Sequence, residues 1–180
     1  MESVGFKEWS LVCDALGHGE QSVILRKGGI AEGQAGFSFR YREFFLFPTF
    51  FHEQIGKVRK TAMELPRRNG AIAISYYAKV ERAIGIDSLK VAEALAPLHI
   101  LSIELVRERF GYKGEGLNVA FVRVFRLERE WVFPNEIRFG GCRSWLKLPS
   151  VPAISMQSVL DDAAHAERRA QFEGTVAVTR

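Results

Sequence analysis

Cysteine is scarce in this chain: two residues, Cys13 and Cys142, among 180. They lie far apart and form no framework of the kind that staples small secreted domains, so they read as reduced thiols of a cytoplasmic protein. Long apolar runs are also missing. The densest, residues 44–51, is interrupted by Pro48, and it is far shorter than the about 20 residues that a bilayer-spanning helix needs. The first nine residues mix Glu2, Lys7 and Glu8 with apolar neighbours, without the basic and then apolar regions of a secretory leader, so neither export nor a membrane is expected. No repeat or low-complexity tract is present, and a 47% hydrophobic, 12% aromatic composition excludes disorder.

Catalytic motifs are missing as well. His52-Glu53-Gln54-Ile55-Gly56 begins like the helical zinc motif of metalloproteases, but Gly56 stands where the second His is required. Gly17-His18-Gly19-Glu20-Gln21-Ser22 follows a helix and precedes a strand, the reverse of a dinucleotide-binding turn, and lacks the third Gly. There is no phosphate-binding P-loop. Neither Glu-x-Lys nor Asp-x-Lys occurs, the pair from which a restriction-endonuclease-like enzyme builds its metal site. Cys142 follows Gly140-Gly141 with Arg138 and Arg143 nearby, a setting that lowers a thiol pKa. With no His at a recognisable local spacing, a small residue packed at a strand start is the preferred reading. No metal and no cofactor are therefore expected.

The elements that are present follow from periodicity. Phe6, Trp9, Val12, Cys13 and Leu16 recur at helical spacing and predict an N-terminal amphipathic helix stopped at Gly17. Residues 22–27 read as a strand closed by Gly28-Gly29. Phe37, Phe39 and Tyr41 alternate with Ser38, Arg40 and Arg42, which predicts a strand with one apolar and one basic face. Residues 44–47 read as a strand buried on both sides, and 56–70 as a solvated connection. A strand over 71–86 follows, with Ile72, Ile74, Tyr76, Ala78 and Val80 on one side at period two, preferred over the helix that Ile72, Tyr76, Val80 and Ile84 would also satisfy. Then come two short helices capped at Asp87 or Ser88 and at Ser102. Residues 119–127 predict a central strand, 128–130 a turn towards Trp131, and 142–148 a last strand. A final helix from about Ser155 is expected to bury Met156, Val159, Leu160, Ala163 and Ala170. The order predicts an α+β fold: residues 1–180 as a single domain with its core over about 6–150 and a C-terminal helix over about 155–173. Its sheet is expected to be largely antiparallel or mixed, flanked by an N-terminal helix, two short middle helices and a C-terminal helix.

Several stretches carry a resemblance. Phe6-Lys7-Glu8-Trp9, Leu25-Arg26-Lys27-Gly28-Gly29-Ile30, Arg42-Glu43-Phe44-Phe45-Leu46-Phe47-Pro48-Thr49 with His52 after it, Arg123-Val124-Phe125-Arg126-Leu127 and Gly140-Gly141-Cys142-Arg143-Ser144-Trp145 lie in order over residues 6–148. Together the chain resembles a bacterial family known as domain of unknown function 1802. The resemblance implies a shared fold and carries over no catalytic residue.

Charge gives the positive signal. Residues 21–70 hold Arg26, Lys27, Arg40, Arg42, Lys57, Arg59, Lys60, Arg67 and Arg68 against Glu32, Glu43, Glu53 and Glu64, an excess larger than the +4 of the whole chain. Arg26, Lys27, Arg40 and Arg42 fall on neighbouring predicted strands, and Lys57, Arg59 and Lys60 extend the track, a phosphate-binding pattern that points to RNA or another single strand. Three alternatives share these residues. One is a divergent Mg2+-dependent nuclease with Glu8, Glu43 and Lys57 as a rearranged site. Another is a protein-interaction domain, and the third is a face of internally paired charges. Any protein partner is left unspecified by the sequence.

Overall fold

Alternating apolar side chains place most strands, and long-range pairing decides the rest. The chain is described by a computed structural model for residues 2–27, 37–50, 52–59 and 70–177. Its described strands form one mixed sheet in the order β2-β5-β4-β3-β1-β6. These are β1 (Val4–Trp9), β2 (Val23–Arg26), β3 (Glu43–Thr49), β4 (Ala71–Ile86), β5 (Leu117–Pro134) and β6 (Trp145–Lys147), while β7 (Met156–Ser158) pairs with β5 outside that path. Strands β1 and β3 run parallel, and every other described pair is antiparallel. Among the described residues four α-helices accompany them: α1 (Ser10–Gly17), α2 (Leu89–Ala94), α3 (Ile103–Gly111) and α4 (Asp162–Ala177). The α+β class with a mixed sheet is thus as expected.

Each face of the sheet carries its own core. Phe6, Phe44, Leu46, Tyr76, Ala78 and Phe121 pack with α1, α2 and α3 on one face. Phe45, Phe47, Ile74, Tyr77, Trp131 and Phe133 fill the other. Phe6 is wholly buried, and truncating a phenylalanine in such a site costs about 3–5 kcal/mol.

The N-terminal helix is shorter than its spacing predicts. Residues 4–9 pair in parallel with β3 and antiparallel with β6, so Phe6 and Glu8 share one face while Gly5 and Lys7 take the other. Ladder hydrogen bonds on both sides override the helical spacing, and α1 begins only at Ser10. Trp9 consequently ends β1 half-buried instead of joining the helical core stripe. Gly17 closes α1 against Tyr76, where a Cβ would stand 2.0 Å from the ring carbon Cζ. That close approach lets Arg126 donate to the Gly17 carbonyl at 2.7 Å.

Strand β4 occupies the expected residues, but its ladder with β5 shifts register between Ile74 and Tyr76. This bulge sends Ile72 and Ile74 to one core and Tyr76 and Ala78 to the other, so the five expected same-side residues divide between faces. The expected turn at 128–130 is the other half of the irregularity. Strand β5 runs on through it, Glu128 N–H donates to the Ser155 carbonyl at 2.9 Å, and Ser75 donates to Glu130 at 2.9 Å.

Three further expectations are corrected. Residues 37–42 alternate in burial as predicted yet form no strand, because both edges of the adjacent β3 are taken by β1 and β4. The last strand covers only Trp145–Lys147, after a turn at 140–144. Residues 156–158 join the sheet as β7, and α4 buries His165 and Phe172 while Ala163 and Ala170 stay exposed. Ser102 caps α3 as expected, accepting from Leu105 N–H at 3.2 Å. The Gly28-Gly29 turn lies outside the described residues.

Candidate nucleic-acid interface

Strand β6 ends the sheet, and Trp145 sits on it half-buried. Its ring centroid lies 4.8 Å from Phe6, 5.2 Å from Phe44 and 5.0 Å from Tyr41. Phe37 lies 6.3 Å away and nearly parallel to it. The 37–42 segment supplies part of this platform because its aromatic residues turn inwards. Phe37 is buried, Phe39 and Tyr41 are half-buried, and Arg40 and Arg42 face solvent. Arg143 and Lys147, two residues before and after Trp145, are exposed too. Four cations thus flank one aromatic platform.

Beneath it lies a charged cluster. Arg26, the last residue of β2, rests over Phe6 at 5.1 Å and Phe37 at 5.7 Å and donates to Ser144 Oγ at 2.8 Å. Its other terminal nitrogen stands 3.9 Å from Glu8 Oε1, the outer limit of an ion pair. Glu8 is 2% exposed and accepts from Trp9 N–H at 2.9 Å. Arg109 of α3 covers the Trp9 ring at 4.8 Å and donates to the Leu25 carbonyl at 2.8 Å. Burial lowers the Arg109 pKa, Glu8 opposes that, and Arg26 adds to it. Arg26 thus faces a buried carboxylate whose charge also acts on Arg109, while Arg26 Nε and Trp145 Nε1 are buried without a hydrogen-bond partner among the described residues.

The rest of the predicted basic track is engaged elsewhere. Lys27 donates to the carbonyls of Phe110, Gly114 and Gly116 at 3.3, 2.6 and 2.8 Å, satisfying the C-terminal end of α3. Lys57 pairs with Glu108 at 3.1 Å. Arg59 donates to the carbonyls of Ala96 and His99. Lys60 lies outside the described residues. Sequence alone predicted one continuous track; the fold keeps Arg26, Arg40 and Arg42 near the β6 edge and directs Lys27, Lys57 and Arg59 to backbone and acidic partners near α2 and α3.

The alternative acidic site does not assemble. The register Gly5↔Phe45 sets Glu43 opposite Ser3, five residues before Glu8. That separation is about 16 Å along the strands and puts the two carboxylates on opposite faces. Glu43 accepts from Tyr77 Oη at 2.7 Å and pairs with Lys79 at 3.1 Å. The Tyr77 hydrogen bond first and Lys79 second hold its carboxyl below the usual range. Lys57 stands apart from both, beside α3. Cys142 is exposed instead of filling a gap, whereas Cys13 is buried as expected and its thiol pKa is pushed far up by burial.

Sequence reasoning left Arg143 and Lys147 out of the interface. Their signal was nearness to Trp145 in the sequence, with Trp145-x-Lys147 at the spacing of side chains on one face of a strand.

A sheet of mixed order with a cation-rimmed aromatic edge is the class of structure in view, and sequence comparison gives it a family. The family model described as Domain of unknown function (DUF1802) matches residues 5–171, and the chain belongs to that family. No curated protein matches it. Among solved structures, the chain is similar to ASCH from Zymomonas mobilis at 11% identity and a TM-score of 0.45, over 93% of this chain and 92% of that one. It is likewise similar to a serine-to-alanine mutant of ZmASCH at 11% identity and a TM-score of 0.48, over 93% of each chain. No described helix is long and apolar enough to cross a membrane.

Proposed function

We propose that this protein binds RNA or another single-stranded nucleic acid, without catalysis, at the Trp145 edge. The supporting observation is the pairing of exposed Arg40 and Arg42 with Phe37, Phe39 and Tyr41 on one short segment packed against Trp145. Cations at that spacing hold backbone phosphates, and half-buried rings offer stacking surfaces to unpaired bases. Lys147 on β6 and Arg143 just before it extend the rim, and Arg26 adds positive charge beneath it. A duplex is less suited, since a groove is read by a projecting helix or ribbon and this edge presents a shallow platform.

The test is a fluorescence titration of labelled single-stranded RNA and DNA, with and without Mg2+, against two double variants. Arg40→Glu/Arg42→Glu should abolish binding, while Lys57→Glu/Arg59→Glu should reduce it only slightly, because those cations are already engaged. Equal loss in both variants would overturn the assignment to the Trp145 edge. Metal-dependent cleavage of the label would replace binding with a nuclease function.

A further inference from the structure

A second feature lies on the opposite face of β1. The end of β3, the start of β4 and residues 135–141 enclose an open groove of ≈ 530 Å³. This is within the roughly 300–1,000 Å³ typical of small-ligand sites. Phe47, Pro48, Ile72 and Phe139 give it flat apolar walls, and Lys7 and Asn135 are two of its polar groups. Lys7 Nζ donates to the Gly141 carbonyl at 2.8 Å, which leaves two of its three N–H groups for another acceptor. Glu136 also lines the groove, but Arg138 holds its carboxylate at 2.9 Å. The Asn135 backbone N–H bonds the Gly70 carbonyl at 2.9 Å, and its side-chain amide forms no hydrogen bond among the described residues.

These groups match one ligand chemistry. The walls suit a planar ring, the Asn135 amide presents a donor and an acceptor to its edge, and Lys7 presents positive charge. We infer that the groove binds one nucleotide, with its base between the apolar walls and Asn135 and its phosphate on Lys7. The lowered Lys7 pKa has burial as its first cause and repulsion from Arg143 as its second, and a bound phosphate would offset both. This inference rests on the proposed nucleic-acid binding for its ligand class. The nucleotide has two sources, a free mononucleotide or the 5′-phosphorylated end of a bound strand.

Calorimetry of the full chain with adenosine 5′-monophosphate, adenosine and inorganic phosphate tests it. Only the monophosphate should bind well, because only it engages walls and ammonium together. Lys7→Met, which keeps the apolar stem, and Asn135→Ala should each weaken it by about tenfold, the worth of one lost hydrogen bond to a charged or buried group. Circular dichroism and melting of each variant confirm that the fold persists. Competition by a 5′-phosphorylated pentanucleotide, and not by its 5′-hydroxyl counterpart, identifies a strand end as the source; failure of both to compete identifies the free nucleotide. Unchanged monophosphate affinity in both variants, or phosphate alone binding equally well, overturns the inference. Arg40→Glu/Arg42→Glu should leave monophosphate binding intact. Failure of the wild type to bind RNA while it still binds the monophosphate therefore counts against the Trp145 edge and not the groove.

Discussion

Replacing Glu8 separates a structural carboxylate from a catalytic one. Its side chain is 1% exposed, and the facing Arg26 side chain is 21% exposed. Glu8→Ala removes the acceptor of the Trp9 N–H bond, worth about 1.5–3 kcal/mol for a charged acceptor. It also strips Arg26 of its counter-charge, and removing one member of a buried pair costs about 3–5 kcal/mol in all. At 3.9 Å the pairing with Arg26 is loose, and Arg26 retains its bond to Ser144, so the lower end of that range is expected. Glu8→Gln keeps an acceptor oxygen and loses only charge, for about 1–2 kcal/mol. In a chain of this length 1 kcal/mol moves Tm by about 2–4 °C, which places Glu8→Ala near 6–12 °C below wild type and Glu8→Gln between them. Calorimetric or fluorescence melting at pH 7 measures both. Equal Tm in all three proteins would refute the assignment of Glu8 as the counter-charge of the cluster.

Three other predictions concern single side chains. His99 Nδ1 accepts from Leu101 N–H at 3.1 Å, so the folded ring is neutral, and burial first, then Arg59 and Arg109, push its pKa down to about 4. The unfolded chain protonates this ring first on acidification. His99 therefore contributes stability that is fully present above about pH 6.5 and falls by about 3 kcal/mol as pH drops towards 4. Urea unfolding of wild type and His99→Asn at pH 7, 5.5 and 4 should show a smaller acid loss in the variant; parallel pH profiles would contradict it. In the native protein one thiol should react with Ellman's reagent and Cys142→Ser should abolish that reaction, since Cys13 is buried; two native-state thiols would show that α1 opens. Ser102→Ala should lower stability by about 1 kcal/mol by removing the α3 cap, and an unchanged urea midpoint would argue against that hydrogen bond.

Local patterns carried much of this fold. The bounds of β4 were legible because Ile72, Ile74, Tyr76, Ala78 and Val80 recur at period two in a stretch rich in Ile and Tyr, and the α3 start because Ser102 is followed by a helical run. Residues 4–9 misled because Phe6 and Trp9 satisfy a helix while Phe6 and Glu8 satisfy a strand. The partner that decides between them, β3, begins at Glu43. Residues 37–42 kept the burial pattern of a strand while both edges of the adjacent β3 were taken by β1 and β4. In the site, the type and position of each charge were legible and its partner was not. Lys27 meets carbonyls 83–89 residues further along the chain, and no local signal encodes that contact. The β4 bulge at Ser75, which reverses the faces of neighbouring side chains, likewise has no glycine or proline to announce it.

The salt dependence of single-stranded RNA binding is the most direct measure of the Trp145 edge. Observed affinity for a single strand falls with salt by about 0.7 logarithmic units per decade for each phosphate neutralised. If Arg40 and Arg42 each hold one phosphate, replacing both with uncharged Gln should make the slope of log K against log salt shallower by about 1.4. Lys57→Gln/Arg59→Gln should leave that slope near the wild-type value. A slope unchanged by Arg40→Gln/Arg42→Gln, or no wild-type binding at about 50 mM salt, where phosphate contacts are strong, would contradict the proposed interface.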